Sequence, residues 1–186
     1  MRRWALNHLA AWCVLFGMRE KAIELYERML ELDANDALAL ASIGYQRAQL
    51  GDKRAAMAAF DRLLAAHPNN VEGHFNRGFL FQERNDHERA VEALSKAVEL
   101  APDHDRALYG LALSLISLRR LDEAIPLLKR NTRLQPMSPY GWYQLARVHH
   151  ELGHDDDAQK VLDHLRSFEP KVARQLARET GLHYPE

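Results

Sequence analysis

Apolar residues of matched size recur along this chain at a strict spacing of 34 residues. One series is always alanine: Ala22, Ala56, Ala90, Ala124 and Ala158. Four residues after each alanine stands a large side chain: Tyr26, Phe60, Leu94, Leu128 and Leu162. Twelve residues before each alanine stands a small one: Ala10, Gly44, Gly78, Ala112 and Ala146. Prolines keep the same spacing at Pro68, Pro102, Pro136 and Pro170, and this period is typical of a stacked helix–turn–helix repeat.

The residues of one period explain why it folds as a helix pair. Two helices approach closely only where both carry small side chains, so Gly78 and Ala90 predict a close helix contact. Leu94 then fills the space beside that contact. Pro102 ends the unit because proline lacks a backbone donor and pushes the residue before it out of the α region. Each unit buries its apolar face only when the next unit stacks on it.

With these spacings the sequence resembles the tetratricopeptide repeat family. The copies would span residues 3–36, 37–70, 71–104, 105–138 and 139–172. The resemblance implies an all-α, right-handed α-solenoid of five helix–turn–helix repeats that forms a single domain over residues 1–186. An amphipathic segment at 171–180 is predicted to be a C-terminal capping helix, since its Arg174 and Arg178 would face outward while Val172 and Leu176 face inward.

Turn and cap residues place the individual helices. The predicted ranges are 3–16, 19–32, 37–50, 53–66, 71–84, 87–100, 105–118, 121–134, 139–152 and 155–168. Gly17, Gly51, Asn85 and Gly153 mark turns inside the repeats. Asp52, Asp86 and Asp122 are predicted to cap second helices.

Composition narrows the function classes. A net charge of −1 argues against a nucleic-acid partner, whose binding surface would be basic and clustered. Cys13 is the only cysteine, so no disulfide or cysteine-based zinc site forms within one chain. No apolar run reaches the length of a membrane span, and no cofactor is predicted. We expect a cytoplasmic location, or the periplasm if a targeting segment precedes residue 1.

Three polar residues interrupt the apolar pattern of the repeats. His74 and Arg77 stand where other repeats have apolar residues such as Leu40 and Leu111, and Asn131 stands where Met29 and Leu63 do. Since buried polar groups are usually paired, we expect local pairing or partial exposure. A polar pocket is the alternative.

One segment has the letters of a zinc-protease motif. His150-Glu151-Leu152-Gly153-His154 is H-E-x-x-H, which requires both histidines one turn apart on a continuous helix. Gly153 is the turn residue of its repeat, so the helix should end between the histidines. We therefore expect neither a metal site nor catalysis here.

The resemblance also points to a binding surface. In tetratricopeptide proteins the first helix of each repeat lines a concave groove that meets the ligand. Carried to this sequence, an aromatic series stands at Phe75, Tyr109 and Tyr143. The full set implied by the resemblance is Tyr45, Phe75, Asn76, Phe79, Arg106, Tyr109, Leu113, Tyr140, Tyr143 and Arg147.

The opening helix is apolar on nearly every side. Its Trp4, Trp12 and Phe16 leave little polar face, and such a helix is normally buried. We expect either that sequence upstream of residue 1 covers these residues or that they form an oligomer interface, with a homodimer formed through this end.

The sequence therefore predicts a non-catalytic scaffold that holds a peptide or helix of a partner protein in its groove. The alternative is the regulatory or targeting portion of a larger protein or enzyme assembly, docked through the N-terminal helix. A third hypothesis, a metal-dependent hydrolase, rests on the H-E-x-x-H segment alone.

Overall fold

A computed structural model describes residues 2–185 of the chain. Within this range all regular secondary structure is helical. The helices are α1 (Arg2–Leu15), α2 (Arg19–Leu32), α3 (Ala37–Gln49), α4 (Lys53–Ala66), α5 (Val71–Gln82), α6 (His87–Leu100), α7 (Asp105–Ser117), α8 (Leu121–Leu134), α9 (Pro139–Glu151), α10 (Asp155–Phe168) and α11 (Pro170–Thr180). Every boundary lies within two residues of its predicted position, which confirms the helix–turn–helix pattern. None of these helices is both long and apolar enough to cross a membrane.

The helices form two compact units, Met1–Arg84 and Asn85–Glu186. In the first unit, α2 packs against both α1 and α3, and α4 packs against both α3 and α5. In the second unit, α7 packs between α6 and α8, and α9 packs between α8 and α10. The last helix, α11, lies against both α9 and α10. That all the repeats form a single domain stays a prediction.

The turn inside each repeat has the same backbone conformation. The turn residue has a positive φ, and in three repeats this residue is glycine: Gly17 (72°), Gly51 (82°) and Gly153 (75°). Asn85 (57°) and Arg119 (60°) adopt this conformation with a side chain, which is uncommon outside glycine. The 34-residue period therefore extends to the backbone angles, including positions where glycine is absent.

Side-chain caps begin several helices, though not all those predicted. Asp52 accepts a hydrogen bond from the Ala55 N–H at 2.9 Å, and Asp86 accepts one from the Arg89 N–H at 3.3 Å, as predicted. The prediction for Asp122 is wrong. Arg120 is the N-cap of α8 and makes no side-chain cap bond, while Asp122 lies in the first turn. There a carboxylate still interacts favourably with the positive end of the helix dipole.

The recurring small and large residues form the core. All five alanines of the first series are completely buried. In the first unit, Phe60 of α4 lies directly over Gly44 of α3, and a Cβ added to Gly44 would be 2.7 Å from the Phe60 ring. Glycine at this position therefore sets how closely α3 and α4 approach.

The three polar residues that interrupt the pattern are paired locally, as expected. The His74 ring nitrogen Nε2 lies 2.8 Å from the Pro68 carbonyl oxygen. Arg77 forms an ion pair with Asp61 at 3.0 Å. Asn131 is buried and donates from Nδ2 to the Asp105 carbonyl oxygen at 2.9 Å.

Candidate partner-binding surface

In the second unit, the predicted groove residues of α7 and α9 form a surface rich in tyrosine and arginine. We call it the α7–α9 surface, and its residues are Arg106, Tyr109, Leu113, Tyr140, Tyr143 and Arg147. Tyr109 is half-buried, and burial raises the pKa of its hydroxyl while the nearby Gln144 side chain of α9 opposes that rise. Tyr140, one turn before Gln144, is exposed.

Tyr143 of α9 is held in place by two side chains of α11. Its hydroxyl donates a hydrogen bond to a carboxylate oxygen of Glu179 on α11, and Gln175 donates to the other oxygen of Glu179 at 2.9 Å. These two bonds lower the pKa of Glu179, and burial together with the Glu179 charge raises the pKa of Tyr143. The tyrosine therefore stays protonated and its ring is fixed before any partner arrives.

Arg147 adds a cation to this surface. Its guanidinium lies 5.9 Å from the centroid of the Tyr143 ring and 3.5 Å from the Glu151 carboxylate. A cation at this distance from the ring is favoured by the negative face of the π system. The surface therefore carries an aromatic ring, a cation and the Glu179 anion side by side.

Glu179 and Gln175 were not among the sequence-predicted site residues. The sequence predicts α11 as an amphipathic capping helix. Nothing in the pattern of its polar face indicates that two of its residues lie close to Tyr143. Only the packing of α11 against α9 brings them there. The cap thus extends the candidate surface.

In the first unit, the predicted residues lie on the neighbouring helices α3 and α5. Tyr45 of α3 and Phe79 of α5 are exposed, whereas Phe75 is half-buried. Asn76 donates from its side-chain amide to the Glu72 carbonyl oxygen of its own helix at 2.8 Å. One of its two amide protons is therefore already used within the helix.

The three predicted residues of the opening helix are all exposed. Trp4, Trp12 and Phe16 lie on the outer side of α1, and the rings of Trp12 and Phe16 stack with their centroids 5.8 Å apart. Nothing in the described part of the first unit covers them.

The H-E-x-x-H segment does not form a zinc-protease site. Helix α9 ends at Glu151, Gly153 has a positive φ, and His154 is the N-cap of α10. His150 instead lies 2.7 Å from Asp155, and Glu151 forms ion pairs with Arg119 and Arg147. Among residues 2–185, no group of three or more histidine, cysteine, aspartate or glutamate side chains is placed to hold a metal ion. The prediction that the helix ends between the histidines is confirmed.

His149, next to this segment, is almost completely buried, and its Nδ1 has no hydrogen-bond partner. Burial lowers its pKa from the usual 6.5, the nearby Lys129 and His154 lower it further, and Asp157 opposes them. The imidazole is therefore neutral in the folded protein at neutral pH.

Acidification should destabilise the protein through His149. Because the unfolded chain binds a proton at this residue more readily than the folded one, stability is kept above the unfolded pKa and lost as the pH falls below it. We expect the melting temperature of His149→Leu to fall less between pH 7 and pH 5 than that of the wild type. His183→Gln, which replaces an exposed histidine, is the control. Equal pH dependence of His149→Leu and wild type would contradict this role.

Comparisons with known proteins agree with this architecture. Two family models, both described as tetratricopeptide repeat, match residues 43–103, 75–136 and 109–169 and residues 5–38. The protein O-mannosyl-transferase Tmtc3 of Drosophila melanogaster is 27% identical over 125 residues, which cover 67% of this chain and 14% of that protein. The BBSome complex member BBS4 of Bos taurus is 26% identical over 160 residues, which cover 86% of this chain and 31% of that protein. This chain therefore spans less than a third of either relative.

Among solved structures, the crystal structure of YrrB superimposes with a TM-score of 0.80 at 21% identity. The match covers 93% of this chain and 90% of YrrB, which is described as a tetratricopeptide protein with an unusual peptide-binding site. At this level of identity the similarity shows the shared fold.

Proposed function

Because this chain belongs to the tetratricopeptide repeat family, we propose that it is a non-catalytic scaffold that binds a peptide or helix of a partner protein. The α7–α9 surface is the proposed binding site in the second unit. The observation that carries the proposal is the fixed position of Tyr143, whose hydroxyl donates to Glu179, together with the half-buried ring of Tyr109.

Fixed aromatic side chains support binding for an energetic reason. A bound segment gains apolar contact with each ring, and a ring already held by a hydrogen bond loses little rotamer entropy when the segment arrives. Tyr109 is half-buried, so its ring has little freedom to lose and still reaches the surface. It is therefore the proposed anchor of the site.

Charged groups around the rings would set the register of the bound segment. Arg147 lies over the Tyr143 ring and Glu179 accepts a hydrogen bond from its hydroxyl, so the two provide one charge of each sign. Such groups contribute mainly to specificity and association rate. The proposed roles of Tyr45, Phe75, Asn76 and Phe79 follow from the resemblance and make a second proposed contact area, in the first unit.

Truncating Tyr109 tests the proposal. Proteins captured by the wild-type chain would be identified by mass spectrometry, and the contacting segment would be synthesised and titrated by calorimetry. Tyr109→Ala is expected to weaken binding by about 30-fold, which corresponds to about 2 kcal/mol for the loss of a central aromatic anchor. Met137→Ala, which truncates an exposed apolar residue outside the surface, is the matched control and should bind as the wild type does.

A thermal melt of the same samples separates binding from folding. The melting temperature of Tyr109→Ala should stay close to that of the wild type. Unchanged affinity would place the binding site away from the α7–α9 surface. A large drop in melting temperature would instead show that Tyr109 serves the core of the second unit.

A second candidate function is suggested by the length of the relatives. Since the chain spans 14% of Tmtc3 and 31% of BBS4, we propose as the alternative that it is the regulatory or targeting tetratricopeptide portion of a larger assembly, docked through α1. In that case Trp12→Glu should release the chain from the assembly, whereas Tyr109→Ala should not. Co-purification of the two variants distinguishes the two functions.

A further inference from the structure

Helix α1 and Phe16, the residue that follows it, expose a largely apolar face that contains one polar residue, His8. The exposed fractions are 69% for Trp4, 55% for Leu9, 58% for Trp12, 73% for Leu15 and 66% for Phe16. Trp4, Trp12 and Phe16 follow one row at i,i+4 spacing, Leu9 follows a second with the exposed Ala5, and Leu15 follows a third with the exposed Ala11. The face therefore alternates large and small side chains.

The repeat pattern identifies this face as one that packs against a helix. Ala5 is the first of another 34-residue series of small residues, continued by Ala39, Gly73, Ala107 and Gly141. Those four are buried, and Gly73 and Gly141 lie against side chains of the second helix of the preceding repeat. Ala5 occupies the same position but is exposed. The face around Ala5 is thus shaped for a helix that the described chain does not supply.

We propose that this helix is α1 of a second copy, packed antiparallel to the first around a twofold axis at the level of Ala10. In this register Trp4 lies opposite Phe16 of the other copy, at each end of the pair. Ala5 lies opposite Leu15, and Leu9 lies opposite Ala11. Two of these pairings place a large side chain opposite a small one, so the face is complementary to itself, as an isologous dimer requires.

The polar groups in and beside this face are already paired within the chain. His8, the polar residue within the face, has its Nδ1 2.8 Å from the Trp4 carbonyl oxygen, so it is already paired within its own helix. Arg3 lies at the edge and is paired with Asp36. Closing the dimer would bury no unpaired charge from these groups.

The area of the face is also adequate. Five side chains of this size at these exposures present roughly 600 Å² of apolar surface per copy, at the upper end of what a typical monomer exposes. Two copies would together bury more than about 1,000 Å², which is the lower limit for a specific interface. The C-terminal helix does not offer such a surface, because Lys171, Arg174 and Arg178 are exposed along it. A head-to-tail contact between α1 and α11 would bury those charges.

The oligomeric state of the intact chain tests this inference. Sedimentation at micromolar concentrations should give the mass of two chains for the wild type. Leu9→Glu, which puts a carboxylate at the centre of the face, should raise the dimer dissociation constant by at least about tenfold. Leu134→Glu, at an exposed leucine of α8, is the matched control and should remain a dimer. A monomeric wild type, or equal dissociation constants for both variants, would overturn the proposal.

Cysteine cross-linking tests the orientation. In a Cys13→Ser background, chains carrying Ala5→Cys are mixed with chains carrying Leu15→Cys and oxidised. The antiparallel pair should give a disulfide only between the two kinds of chain, because equal positions are about 15 Å apart along the axis, beyond disulfide reach. Disulfides that form only between chains carrying the same substitution would contradict the antiparallel arrangement. Neither test involves Tyr109, so a failure of the dimer proposal would not contradict the proposed peptide-binding function.

Discussion

Gly44→Leu is expected to lower the free energy of unfolding by about 1–3 kcal/mol through overpacking. The Cβ of any other residue at this position would be 2.7 Å from two carbons of the Phe60 ring. Phe60 is almost completely buried in the core of the first unit and has no free space into which to move. Urea denaturation followed by circular dichroism measures the loss.

Gly44→Ala brings the same Cβ against the Phe60 ring without the rest of the leucine side chain. Both substitutions also remove the entropic cost of glycine in a helix, and this alone would raise the free energy of unfolding by about 1 kcal/mol. The difference between them therefore reports the larger side chain alone. Phe60→Leu should recover part of the stability lost in Gly44→Leu, since it removes the ring that the leucine meets. Additive effects of the two substitutions would show that Gly44 does not set the separation of α3 and α4.

Gly141→Ala should also destabilise the protein, through a buried hydrogen bond in the second unit. A Cβ at Gly141 of α9 would be 2.4 Å from Oδ1 of Asn131 and 3.2 Å from Cγ2 of Thr132, both on α8. Asn131 would have to move, and its bond to the Asp105 carbonyl oxygen would break. Loss of a buried hydrogen bond costs about 1–3 kcal/mol, which exceeds the gain of about 1 kcal/mol from alanine's helix propensity.

A double-mutant cycle checks this mechanism. Asn131→Ala alone should be destabilising, because it leaves the Asp105 carbonyl without its donor. In the Asn131→Ala background, however, Gly141→Ala should be neutral or slightly stabilising, since the collision is gone. A coupling free energy close to zero between the two positions would contradict the proposed contact.

The 34-residue spacing was enough to predict most of the fold. Helix boundaries depend on local signals, namely capping aspartates, turn glycines and prolines, and these act within a few residues of where they stand. Asp122 shows the limit of such signals. An aspartate can cap a helix or lie in its first turn, and the two positions differ by only two residues.

The position of the α7–α9 surface could also be predicted, because a residue's place in the repeat decides which side of the helix carries it. Its partners could not. Glu179 reaches Tyr143 only because α11 packs against α9. The 34-residue spacing does not predict which side chains from distant parts of the sequence come into contact.

The sequence by itself determined the all-helical repeat, the turn positions and the ends of the helices, since each depends on the conformational preferences of neighbouring residues. Only the tertiary structure showed that Gly44 lies under Phe60, that Gly141 makes room for Asn131, and that Ala5 is exposed where its equivalents are buried. The physical reason is that a small residue has the same local preferences whether or not a second helix lies against it. The close contact belongs to the pair of helices, and it exists only once both have packed.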